Sequence, residues 1–207
     1  MTPIKSILLA LLILSTNGVH NLAYSAHLTA AMQLCAGCHG AQGEGNPTTA
    51  APRIAGQNVA YLENQLLHFR AGSRGYHPDD KAGGQMRTVV QALSDNDLAE
   101  LAAEYGKMTV STPPGLKTDT GKDLYITTCL QCHGPQARGF VQLRSPNLTI
   151  LNDWYIANQL KAYTAGWRGT SDSTDLPSMM MRTIASHISS EKDIAEVIRY
   201  INGLSSD

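Results

Sequence analysis

Apolar residues recur at i, i+3, i+4 and i+7 in two places, first as Leu98, Leu101, Ala102 and Tyr105 and again as Ile194, Val197, Ile198 and Ile201. That spacing gathers four side chains on one helical face. Ser94, with Asp95 and Asp97 behind it, supplies a start signal for the first of these helices; Ser189 or Ser190, followed by Glu191, does so for the second. Earlier stretches, from about 59 to 71 and from about 153 to 165, predict a helix in each half that stops at Gly72 and Gly166. A third pair should precede Cys35 and Cys129: a short helix from near Leu28 and a longer one from about Thr118. No stretch alternates well enough to demand a strand, so the chain reads as all-α, with three helices per half joined by long loops.

The two halves are copies. Shifting the chain by 94 residues carries Cys35 onto Cys129, Pro52 onto Pro146, Tyr61 onto Tyr155, Asn64-Gln65-Leu66 onto Asn158-Gln159-Leu160, and Arg74-Gly75 onto Arg168-Gly169. After one inserted residue the offset becomes 95, and Arg87-Thr88 falls on Arg182-Thr183, Ser94 on Ser189 and Tyr105 on Tyr200. A tandem duplication decides the domain plan. It predicts domains over 26–108 and 118–207, joined by a linker, 109–117, whose Pro113-Pro114-Gly115 cannot continue a helix. Domains of this size are marginal unless something staples them. Phe69 and Phe140 are the only phenylalanines, which points to a non-protein group filling each core.

Composition narrows the setting. Lys5 and the apolar run Ile7 to Leu14 read as an export signal over residues 1–25, cleaved near Ser25; the run is too short to span a bilayer, and an uncleaved anchor is the alternative. No cysteine lies near that point to carry a lipid. Without the signal, 15 Lys and Arg face 17 Asp and Glu, a balance that suggests neither nucleic acid nor an acidic membrane surface.

Cysteine usage supplies the chemistry. The four cysteines fall in CAGCH (Cys35, Cys38, His39) and CLQCH (Cys129, Cys132, His133). In CxxCH, two cysteine sulfurs add to haem vinyl groups on one helical turn and the next histidine reaches the iron. The alternatives are disulfides, which leave the histidines unexplained, and a four-thiolate zinc site, which the 94-residue separation disfavours. A thioredoxin-like pair would need a βαβ setting. Two c-type haems are expected, one per domain.

An electron-transferring haem iron takes a second axial ligand. In the first copy Met86 sits between the middle and last helices, in a predicted loop. Met32 is only three residues before Cys35, and Met108 lies beyond the last helix. The offset of 95 maps Met86 onto Met181 within the run Met179-Met180-Met181, so Met181 is the expected ligand, with Met179 and then Met180 as alternatives if the register slips. His68, His77 and His187 have no counterparts in the other copy, where Ala162, Ser171 and Ala92 stand, and read as surface or supporting residues.

Together CAGCHGAQGEG, APRIAGQNVAYLENQLLHFRAG and GGQMRTVVQALSDNDLAELAAEY, followed by a second CxxCHG domain, resemble the dihaem cytochrome c4 family of periplasmic electron carriers. The resemblance implies two tandem class I cytochrome c domains, each wrapped around a covalently attached haem with His and Met axial ligands. It further implies that Pro52 and Pro146 offer their carbonyls to the proximal imidazoles. The function to expect is single-electron transfer in the periplasm between a respiratory donor and a terminal oxidase or reductase, meeting the membrane only through those partners. The alternatives are a dihaem enzyme of peroxidase or sulfur-compound dehydrogenase type, and a fixed electron-donating subunit.

Overall fold

The computed structural model describes residues 26–111, 115–170, 175–188 and 190–204. The expected export signal, residues 112–114 of the expected linker, and Ser189 lie outside that set. Helices carry nearly all the regular structure: α1 (26–39), α2 (Val59–Ala71), α3 (Lys81–Val90), α4 (Asp95–Lys107), α5 (Lys122–Thr128), α6 (Leu130–His133), α7 (Asp153–Thr164), α8 (Leu176–Ala185) and α9 (Glu191–Leu204). Among the described residues the sole β-type pairing is an isolated bridge between Asn46 and Ala51. The all-α expectation therefore holds, with more helices than the periodicity predicts.

The extra helices are α3 and α8, which run through the segments read as methionine-bearing loops. Each is started by an aspartate whose side chain accepts from a backbone N–H three residues on: Asp80 from Gly83, and Asp175 from Ser178. Gly83-Gly84 lowers the helix propensity of the first copy, and tertiary packing overrides it. Gly75 and Gly169 carry positive φ angles (71° and 70°), and a Cβ at either would run into the carbonyl of Gly83 or Ser178. Glycine thus lets the preceding loop close onto each of these helices. A second correction concerns α1: rather than short, it is continuous through His39, whereas the second copy breaks at Cys129 into α5 and α6.

In the first domain α2 packs on α4 and α3; in the second, α5 and α7 pack on α9, and α7 on α8. The second domain has one continuous core, including Tyr125, Tyr155, Leu160, Ile188, Val197 and Ile201. The first divides into Ala31, Leu62, Leu101, Ala102 and Tyr105 on one side and Phe69, Val90 and Leu98 on the other, with half-buried Leu66 and Leu93 touching both.

The domains meet through α2 and the loops that flank α2 and α7. Gln57 makes a reciprocal pair with Asn147, donating to its carbonyl (2.9 Å) and accepting from its N–H (2.7 Å). The Asn58 amide reaches the Ser145 carbonyl at 2.9 Å, Arg144 reaches Asn64 Oδ1 at 2.9 Å, and the Tyr76 hydroxyl donates to the Gly166 carbonyl at 2.8 Å.

Candidate haem sites

Each CxxCH ends a helix and turns into a loop that folds back onto it. In the first copy His39 is buried, and its Nδ1–H donates to the Pro52 carbonyl at 2.7 Å; in the second, His133 is buried and its Nδ1 lies 3.4 Å from the Pro146 carbonyl. A proton committed to Nδ1 leaves the lone pair on Nε2, the form a metal needs. Burial pushes both imidazoles below their usual range despite the proline carbonyls, His133 to about 4. Both are therefore neutral at physiological pH, as ligation requires.

The thiols behave oppositely to a zinc site. Burial raises the Cys35 thiol, and raises Cys129 to about 12, so neither favours a thiolate. Among the described residues no three His, Cys, Asp or Glu side chains gather as a metal site. The two CxxC pairs thus do not converge on one tetrahedral centre.

Two hydroxyls secure the cysteine turns. Ser145 is buried, and its Oγ donates to the Cys132 carbonyl at 2.6 Å while accepting the Phe140 N–H at 2.7 Å. Thr49, exposed, donates to the Cys38 carbonyl at 2.9 Å. These are not equivalent positions in the repeat, so the offset could not reveal them.

The methionines separate by helical phase. Met86 follows buried Gly83 by three residues and precedes buried Val90 by four, and it packs on the Phe69, Val90 and Leu98 cluster. Met181 has the same phase between buried Ser178 and Ala185 and packs on the second core. Met180 points outward at 61% exposure, and Met179 lines a surface groove with Tyr163, Thr164 and Thr183. One face of α8 therefore turns Met181 inward and its two neighbours elsewhere.

Sequence reasoning missed the charge between the domains. Arg74 and Arg168 are both buried. Arg74 donates to Gln65 (2.7 Å), Tyr155 (3.0 Å) and Gln159 (3.3 Å); Arg168 donates to Gln65 (2.9 Å) and to Gln159. Each arginine thus contacts its own copy's glutamine and the other's, in pseudo-two-fold fashion. Among the described residues neither guanidinium pairs with a carboxylate, and both Nε–H groups are buried without an acceptor. Two buried cations left so call for anions. The propionate carboxylates of two haems fit that demand. The signal was present as Arg74-Gly75 matching Arg168-Gly169, but the repeat gives no burial.

Comparison with known proteins agrees with this geometry. The Cytochrome c family matches residues 28–103 and again 118–205. Cytochrome c4 of Azotobacter vinelandii is 32% identical over 208 residues, covering 93% of this chain and 96% of that protein. The chain belongs to the dihaem cytochrome c4 family. The crystal structure of reduced recombinant cytochrome c4 from Pseudomonas stutzeri superimposes with a TM-score of 0.66 at 30% identity, covering 84% of this chain and 97% of that one. A thiosulfate dehydrogenase electron acceptor of Thiomonas intermedia (strain K12) is 34% identical over 164 residues, 73% of this chain and 70% of its own length. As a cytochrome c4 relative the chain carries two covalently bound c-type haems and is a dihaem electron-transfer cytochrome. Among the described residues no helix is long and apolar enough to cross a membrane.

Proposed function

We propose that this cytochrome is a periplasmic shuttle that takes single electrons from a respiratory donor and delivers them to a terminal oxidase or reductase, making and breaking no substrate bonds. Residues 1–25 would export it and be removed near Ser25, leaving domains 26–108 and 118–207 on the linker 109–117. Cys35 and Cys38, and Cys129 and Cys132, would hold the haems covalently; His39 with Met86, and His133 with Met181, would bind the irons axially. The haem supplies a one-electron iron couple, and the protein sets its potential, solvent access and docking.

The observation that supports this reading is the presence in each domain of a buried histidine bonded to a proline carbonyl and of a methionine packed inward from an aspartate-capped helix. Two filled axial positions leave no open coordination site for a substrate. The deciding measurement is the spectrum of the oxidised protein: a near-infrared methionine-to-iron band of two-haem intensity is expected, and a high-spin haem at rest would sink the shuttle in favour of an enzyme.

A second reading, a fixed or dedicated electron acceptor for an oxidoreductase, is favoured by the similarity to the thiosulfate dehydrogenase electron acceptor. Reduction by thiosulfate only when such a dehydrogenase is added, with a stable complex on gel filtration, would select it.

A further inference from the structure

The two methionine helices are capped alike but supported differently. Asp80 caps α3 from within its own domain. Asp175, 2% exposed, accepts from the Ser178 N–H (3.2 Å) and the Ser178 hydroxyl (2.5 Å), and Tyr163 lies 3.4 Å from that hydroxyl. The other domain also reaches it: His68 Nε2, on α2, lies 3.5 Å from Asp175 Oδ1.

The remaining contacts fix the imidazole. His68 Nδ1 is 2.8 Å from the Ser73 hydroxyl. A carboxylate can only accept, so the neutral ring's hydrogen belongs on Nε2, toward Asp175; Nδ1 then accepts from the Ser73 hydroxyl, which also lies 3.3 Å from the His68 carbonyl. The charged groups that act on the ring are Asp175, which favours its protonated form, and Arg144, Arg168 and Arg74, which disfavour it. The repeat places Ala162 at the position equivalent to His68, so among the described residues no histidine reaches the Asp80 cap in the same way.

We propose that His68 is a positioning residue for the second haem: by holding the Asp175 cap across the domain interface, it fixes α8 and the approach of Met181 to the iron. This rests on Met181 as the axial ligand. It ties the second site's ligand geometry to domain docking through a cap contact that the first site does not share.

The test is His68→Ala in the full dihaem protein, with His68→Gln as the conservative variant, since a glutamine amide can donate to Asp175. Exogenous imidazole competes with the axial methionine, and the near-infrared band reports the competition. A Met86→Ala background leaves the second haem as the band's only source. Loss of one capping support should make imidazole displace the second methionine about fivefold more readily, with the first site, read in a Met181→Ala background, unchanged. The potential of the second haem should shift with it, and His68→Gln should restore both. Equal change at both haems, no change at either, or failure of glutamine to rescue would overturn the proposal. Amide exchange at Ser178 and Met179 separates it from the ligand assignment. If Met181→Ala keeps the second band, the ligand reading fails, while faster exchange in His68→Ala still reports that His68 holds α8.

Discussion

The two domains share one plan and differ in what holds it. The second has a continuous core of bulky side chains, a buried serine on its cysteine turn, and a methionine helix whose capping Asp175 lies 3.5 Å from His68 of the other domain. The first has two smaller clusters: Met32 and Cys35 pack on one, and Met86 packs on the other. Its cysteine and methionine sides therefore belong to separate packing units, and a haem bonded to both sides would join them. Duplication copied the candidate ligands; the packing around them diverged.

The largest effect should come from breaking covalent attachment in one domain at a time. With Cys35 and Cys38 both changed to serine, the first domain should lose most of its helical protection, while the second stays folded. With Cys129 and Cys132 changed to serine, the second should retain a partly ordered core. Limited proteolysis and domain-resolved hydrogen exchange read the difference; equal collapse of both domains would show that the divided core has no consequence.

Next come the axial groups. Met181→Ala should remove about half of the near-infrared band and lower one of the two potentials, because methionine ligation raises the potential. Met86→Ala should remove the other half. Met180→Ala, at an outward position, should leave the band intact. A band retained in Met181→Ala and lost in Met179→Ala would move the ligand by two positions.

A smaller contrast lies in the cysteine turns. Ser145→Ala removes a buried hydroxyl that serves two backbone groups and should cost about 1–3 kcal/mol. Thr49→Val removes an exposed bond, whose loss water compensates, and should cost about 0.5 kcal/mol. Thermal unfolding of the two haem proteins checks the ranking.

These contrasts mark how far the sequence could be read. Spacing made the duplication visible, together with the CxxCH turns, α2, α4, α7 and α9, because each is a local pattern. The Met86–Met181 correspondence was legible for the same reason, though its helical setting was not: Gly83-Gly84 and Pro177 look like loop chemistry until Asp80 and Asp175 are seen capping the turns. The arginine pair and the His68 contact were illegible for a deeper reason. They join residues 81 to 107 positions apart, and no periodicity encodes which side chains two domains bring together.

The smallest contrast is at the caps of the last helices. On α4 the Ser94 hydroxyl accepts the Asp97 N–H at 3.2 Å, while the Asp97 carboxylate accepts the Ser94 N–H at 2.8 Å, a reciprocal box. On α9 the Ser190 hydroxyl accepts the Asp193 N–H at 3.0 Å. Ser94→Ala should therefore cost about 1 kcal/mol and Ser190→Ala about 0.5 kcal/mol at neutral pH. Acidification should erase the difference. Hydrogen bonds from the Ser94 hydroxyl and N–H hold the Asp97 carboxyl below its usual range. The stabilisation it gives is full above the ordinary carboxylate range and is lost as pH falls through the lowered value. Ser190 holds its helix by a hydroxyl and a backbone N–H, neither of which titrates there. The penalty of Ser94→Ala should shrink toward that of Ser190→Ala as the pH falls through the lowered range of the Asp97 carboxyl, and a penalty independent of pH would mean that the carboxylate half of the box contributes nothing.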